Sequence, residues 1–153
     1  MRLRLLLLVS LLIVACFGAS PSLAGSPEQE KEFTDKYKTA FEANDSTTLE
    51  SFLYTKDAEP MVLEFYKMMI AQGAGNKISK IELIELSPED AKKAEKTQDA
   101  PGGTKMRLPL KPTKKLKITV ETNEANGSSS TTSESFIAEK DGKFVIPVPV
   151  PVK

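Results

Sequence analysis

The chain contains no histidine, no tryptophan and a single cysteine, Cys16, in 153 residues. These absences remove whole chemistries. A Ser-His-Asp triad, histidine general acid/base catalysis and a His/Cys zinc site cannot be assembled from this inventory, and one thiol excludes an internal disulfide framework. Charge of one sign is also missing: 21 Lys+Arg stand against 21 Asp+Glu, too even a balance for a dedicated nucleic-acid binder. The acid clusters Glu89-Asp90 and Asp99 lack the alternating D-x-[DN]-x-[DN]-G pattern of a calcium loop. No metal and no cofactor is expected.

What is present first is an address. Met1-Arg2-Leu3-Arg4 forms a short basic head, and Leu5 to Val14 is an apolar run broken only by Ser10; together they match the first two regions of a secretory signal. Ten residues rising ~1.5 Å each cannot cross ~30 Å of hydrocarbon. Two processing routes are open. Ser22-Leu23-Ala24 has the small-x-small form of a signal peptidase site, which makes residues 1–24 a signal peptide and 25–153 the mature chain. Ile13-Val14-Ala15-Cys16 resembles the lipobox of bacterial lipoproteins, in which the cysteine is acylated and becomes the new N-terminus. The leader is then 1–15, and Phe17 to Ser26 becomes a Gly/Ser/Ala/Pro tether. Either route exports the domain, to a periplasm or a membrane-anchored cell envelope if the source is bacterial. Removal of residues 1–24 takes Arg2 and Arg4 and no acid, leaving 19 basic against 21 acidic side chains, a net charge of −2.

The exported part reads as one domain with helices first and strands after. Ser26-Pro27-Glu28-Gln29 is a helix start, followed by Phe33, Tyr37, Ala40 and Phe41 on one helical face. Thr47 with Glu50 predicts the cap of a short second helix whose apolar side is Leu49, Phe52 and Leu53. A third begins at Asp57-Ala58-Glu59-Pro60, and its Met61, Val62, Phe65, Met68, Met69 and Ile70 form a broad apolar stripe before Gly73 and Gly75 stop it. Lys77 to Ser87 reads as a strand, with the adjacent Leu83-Ile84 marking a bulge or burial on both faces. Ser87-Pro88-Glu89-Asp90 opens either a short helix through about Lys96 or a polar loop ending at Pro101-Gly102-Gly103.

Beyond it, Met106, Leu108 and Leu110 alternate, as do Leu116, Ile118 and Val120, and Lys111-Pro112-Thr113-Lys114 is expected to join the two runs as a hairpin. Ser128 to Ser135 is either an exposed strand or disordered. Asp141-Gly142 is a strong hairpin turn leading into Phe144-Val145-Ile146. Pro147, Pro149 and Pro151 would remove donors from the same strand edge, which protects a sheet border. The result is an α+β domain, N-terminal helices packed on a curved, mainly antiparallel sheet.

The segments Ala40-Phe41-Glu42-Ala43-Asn44-Asp45, Leu49-x-x-Phe52-Leu53-Tyr54 and Asp141-Gly142-Lys143-Phe144-Val145-Ile146 resemble the nuclear transport factor 2-like (cystatin-like) superfamily, over roughly Glu30 to Ile146. The resemblance implies a cone whose sheet wraps the helices and leaves a pocket. It also implies kinship with small-molecule isomerases and dehydratases that use buried Asp, His or Tyr groups. Without histidine, the residues left for such chemistry are Tyr37, Tyr54 and Tyr66 with Asp35, Asp45 and Asp57. Asp35 lies two residues from Tyr37 on a different helical face, Asp45 and Asp57 read as cap or turn residues, and the tyrosines read as core-margin side chains with hydrogen-bonded tips.

Charge distribution adds a second candidate. Residues 100–120 hold Lys105, Arg107, Lys111, Lys114, Lys115 and Lys117 and no acid. A hairpin over 105–117 would present a cationic outer face to an anionic lipid, glycan or protein partner, or simply a solvated face. The leading expectation is a non-catalytic exported cell-envelope protein, membrane-associated if Cys16 is acylated, whose small domain binds a ligand or partner. The alternatives are an isomerase/dehydratase-like enzyme and an electrostatic adaptor.

Overall fold

A computed structural model describes residues 25–100, 103–124 and 127–152. The leader, both processing sites and Cys16 lie outside the described residues. Helix α1 (Pro27–Glu42) starts as its sequence dictates: the Ser26 hydroxyl accepts from Gln29 N–H at 3.2 Å and the Gln29 side chain accepts from Ser26 N–H at 3.3 Å. Helix α2 (Ser46–Glu50) is capped by Asp45, not by the expected Thr47, because the Asp45 carboxylate already accepts from the Thr48 N–H at 3.0 Å and its hydroxyl at 2.6 Å. Phe52 and Leu53 leave the helix, and Leu53–Tyr54 forms strand β1. Helix α3 (Pro60–Ala71) begins at Glu59 without a side-chain cap.

The main sheet has the order β1-β7-β6-β5-β2, with β2 Lys77–Glu85, β5 Pro112–Glu124, β6 Gly127–Lys140 and β7 Lys143–Pro147. All its pairs are antiparallel except β1 with β7. The bulge in β2 falls at Ser79, between Ile78 and Lys80, while Leu83 and Ile84 stay in register and are half-buried on opposite faces. The 128–135 segment is a strand, exposed along most of its length. Between β2 and β5 lie helix α4 (Pro88–Glu95) and strands β3 (Gln98–Asp99) and β4 (Lys105–Arg107). With β8 (Val150–Pro151) the two short strands make a second sheet, β3-β4-β8.

That second sheet corrects the expected hairpin. Strand β4 pairs with β3 and β8, and β5 pairs with β2 and β6, so 105–110 and 114–120 are not neighbours in one ladder. The first alternating run is a strand only through Arg107, with Leu108 and Leu110 beyond its end, and alternation carries no information about which strands meet. The proline-valine tail does divide its edges: Val148 N–H donates to Tyr54 at 3.1 Å and Val152 N–H to Lys105 at 2.9 Å, leaving the proline edge without donors.

The core lies between α1 and one face of the large sheet. Phe33, Tyr37, Ala40 and Phe41 meet Ile78, Leu116, Ile118, Val120, Ile137, Phe144 and Ile146. Phe33 packs edge-on against Phe52 at 5.1 Å and Phe144 at 5.7 Å between ring centroids. Burying an aromatic side chain contributes about 1.5–3 kcal/mol, and each such ring pair about 0.5–1.5 kcal/mol more. Helix α1 also closes the sheet edge. Glu42 accepts from Ile78 N–H at 3.0 Å, and Lys38 Nζ donates to the Ile78 carbonyl at 2.5 Å and to Glu42 at 2.6 Å. An edge residue that would otherwise invite another strand is satisfied from within.

Candidate functional site

A hollow of about 250 Å³ remains where α1 stops covering the sheet and the C-terminal end of α3 leans over it. Tyr37 and Phe41 form its α1 wall, Ile70 and Met69 its α3 wall, and Leu116, Ile118 and Val120 of β5 its floor. The period of two in strands sets the rest. Because Leu116, Ile118 and Val120 pair with Ser135, Ser133 and Thr131, those three β6 hydroxyl residues stand on the same face and continue the lining. The cleft is therefore apolar on one side and edged with small hydroxyls on the other.

Tyr37 is the unusual member. Only 3% of it is exposed, yet its hydroxyl takes part in no hydrogen bond among the described residues. No described side-chain oxygen or nitrogen sealed from solvent lacks a partner, so the Tyr37 hydroxyl must reach open space, and the space beside it is the cleft. Burial pushes its pKa well up from the ordinary tyrosine value, because a phenolate would be poorly solvated there. It is held as a neutral donor. This differs from the expected core-margin tyrosine with a bonded tip, because the sequence shows which helical face carries Tyr37 but not what lies opposite its hydroxyl.

The other members of the expected set are dispersed. Tyr54 on β1 and Tyr66 on α3 are half-buried, and burial raises the Tyr66 pKa. Asp35 is exposed and pairs with Lys31 one turn away. Asp45 is the α2 cap, its carboxyl held below the usual range by the Thr48 hydroxyl and N–H. Asp57 is an exposed turn residue with φ 62°. Among the described residues no polar or charged residue is buried and no group of acids or cysteines is arranged to hold a metal ion. Glu134 lines the cleft but is committed elsewhere. Lys115 donates to it at 2.6 Å and Lys117 lies at 3.8 Å, which holds its pKa low.

The six cations are spread over two sheets and both faces. Lys105 pairs with Asp99 at 3.2 Å, and Lys111 sits 3.9 Å from Glu95. Lys114 shares the inner face with Leu116 and reaches Glu30 of α1 at 2.9 Å, with Glu85 opposite on β2. Lys115, pointing the other way, reaches Asp90 of α4 at 2.9 Å as well as Glu134. Adjacent lysines thus tie β5 to a helix on each side, and their side chains are only 12% and 13% exposed. Arg107 is exposed and has no ion-pair partner among the described residues.

Helix α3 presents the other notable surface: Met61, Phe65 and Met68 are 70%, 55% and 66% exposed. Among the described residues no helix is long and apolar enough to cross a membrane. No protein-family model matches the chain, and neither a curated protein nor a solved structure matches it. The geometry therefore stands alone as the basis for a functional reading.

Proposed function

We propose that this is an exported cell-envelope protein with a non-catalytic, cone-like domain of the nuclear transport factor 2-like kind, whose cleft binds a small ligand. Anchoring through an acylated Cys16 belongs to the same reading, with residues 17–26 as the tether. The observation that carries it is the cleft and the Tyr37 hydroxyl, which reaches open space there and has no hydrogen-bond partner among the described residues. A bound acceptor that replaces water at that hydroxyl contributes about 0.5–1.5 kcal/mol, the net worth of a typical hydrogen bond. Concave, mainly apolar pockets with a few convergent polar groups are the usual form of small-molecule sites.

The isomerase/dehydratase reading needs a tyrosine and a buried carboxylate in hydrogen-bond contact, and Tyr37 has no such neighbour among the described residues. For the anionic-partner reading, five of the six cations already face carboxylates, so that reading has no observation of its own. The test is native mass spectrometry of the protein purified from the envelope of its host. The expected result is a small-molecule adduct lost on denaturation, on a chain starting at Gly25 or carrying acyl mass on Cys16. An unprocessed chain recovered from the cytosol would sink the export half, and adduct-free protein with an inert cleft the binding half.

A further inference from the structure

The lining of the cleft also selects by charge. Of its residues only Glu134 is charged at neutral pH, and its carboxylate pairs with Lys115 and Lys117 on the opposite face of the sheet. An ion entering the cleft would lose its water and meet no free counter-charge, at a cost of several kcal/mol. A neutral ligand pays no such penalty, and one with an acceptor gains the Tyr37 hydroxyl, which an all-hydrocarbon ligand leaves unmet.

We propose that the cleft takes uncharged ligands: an apolar body of about ten heavy atoms, scaled from the ~150 Å³ hollow that takes benzene, bearing one acceptor for the Tyr37 hydroxyl. The inference rests on the binding reading above. It names the chemical class at that site and makes Tyr37 the residue that sets specificity. Tyr37 stays protonated across the whole physiological range because burial raises its pKa, so the preference for an acceptor is independent of pH. Thr131, Ser133 and Ser135 form a hydroxyl row at the exposed side, where water or a second polar group of the ligand is accommodated.

The experiment titrates the exported protein with three near-isosteric probes, acetophenone, isopropylbenzene and benzoate at pH 8, following backbone amide resonances of the cleft. Acetophenone is expected to shift Tyr37, Ile118 and Ser133 and to bind about 10-fold tighter than isopropylbenzene, the worth of one net hydrogen bond. Benzoate is expected to bind more than ~100-fold more weakly than acetophenone, the penalty of an unpaired buried charge. Tyr37→Phe should bring acetophenone to the level of isopropylbenzene. Should that variant fold poorly, the ratio of the two neutral probes on the unaltered protein reads the same hydrogen bond. Benzoate binding as well as acetophenone, or an acetophenone preference that survives Tyr37→Phe, overturns the ligand class and leaves the cleft a binding site. If no probe shifts any cleft resonance, both readings fall.

Discussion

Helix α1 buries Phe33, Tyr37, Ala40 and Phe41 along one side and turns its lysines and acids to water, whereas α3 buries Ile70 alone and leaves Met61, Phe65 and Met68 in solvent. The more apolar of the two helices is the less buried. Five strands ~4.8 Å apart make a sheet roughly 20 Å wide, and one helix ~10 Å across covers about half of it. Helix α1 crosses the sheet from Phe144 of β7 to Ile78 of β2, tied down by Lys38 and Glu42 at β2 and by Glu30 at Lys114. Helix α3 meets the core only through Ile70 near its C-terminal end, and the cleft lies between that end, α1 and β5.

The contrast can be broken at its strongest point by Phe41→Ala. Phe41 is fully buried, and its loss should cost about 3–5 kcal/mol, read as a lowered urea midpoint; Phe65→Ala on exposed α3 should cost under ~1 kcal/mol in the same assay. Equal costs would mean that α3 is covered in solution. Next comes the hinge after α3. Gly73 has φ 81° and a Cβ there would stand 3.6 Å from Phe41 Cζ, an ordinary contact. Gly73→Ala should therefore cost about 1–2 kcal/mol through backbone strain alone, in thermal unfolding. Helix starts give a smaller effect: Ser26→Ala should cost about 1 kcal/mol, while Glu59→Ala, at an α3 start with no side-chain cap, should be close to neutral.

The smallest effect is electrostatic. Lys38 and the Ile78 N–H hold the Glu42 carboxyl below its usual value, so its folded pKa lies under its unfolded one. Its contribution is then complete above the ordinary carboxylate range near about 4.3 and is lost as pH falls through the depressed folded value. Wild type should therefore lose its advantage over Glu42→Gln on acidification, in unfolding curves measured across that window. Because the pair is partly exposed, added salt should shrink the difference. An advantage that grows as the pH falls would contradict the assigned direction.

Local signals were legible in the sequence wherever the structure depends on neighbours in the chain. The Ser26 to Gln29 box, the Asp141-Gly142 turn and the alternation of β5 all form as their residues require. Where several local signals competed the outcome was less readable: Asp45 outcompeted Thr47 as a cap, and of the two readings of Leu83-Ile84 partial burial on both faces held while the bulge fell at Ser79. Strand partnership was legible across the Asp141-Gly142 turn and not elsewhere. Met106 and Leu116 both sit in strands read from alternation, yet one joins β3 and β8 and the other β2 and β6. The lysines illustrate the cost of that ambiguity, since the assumed hairpin would have made a patch of side chains that in fact pair with Glu30, Glu85, Asp90 and Glu134.

The amino-acid order by itself determined that the chain is α+β, that histidine chemistry and disulfides are excluded, and where its helices and turns begin, because those depend on composition and on contacts within a few residues. Only the tertiary structure decided which strands pair beyond the Asp141-Gly142 hairpin, that the Tyr37 hydroxyl opens on the cleft and not on a partner, and that α3 meets the core only near its C-terminal end. Each of these is fixed by residues dozens of positions apart competing for one surface, and no short stretch of sequence records the result of that competition.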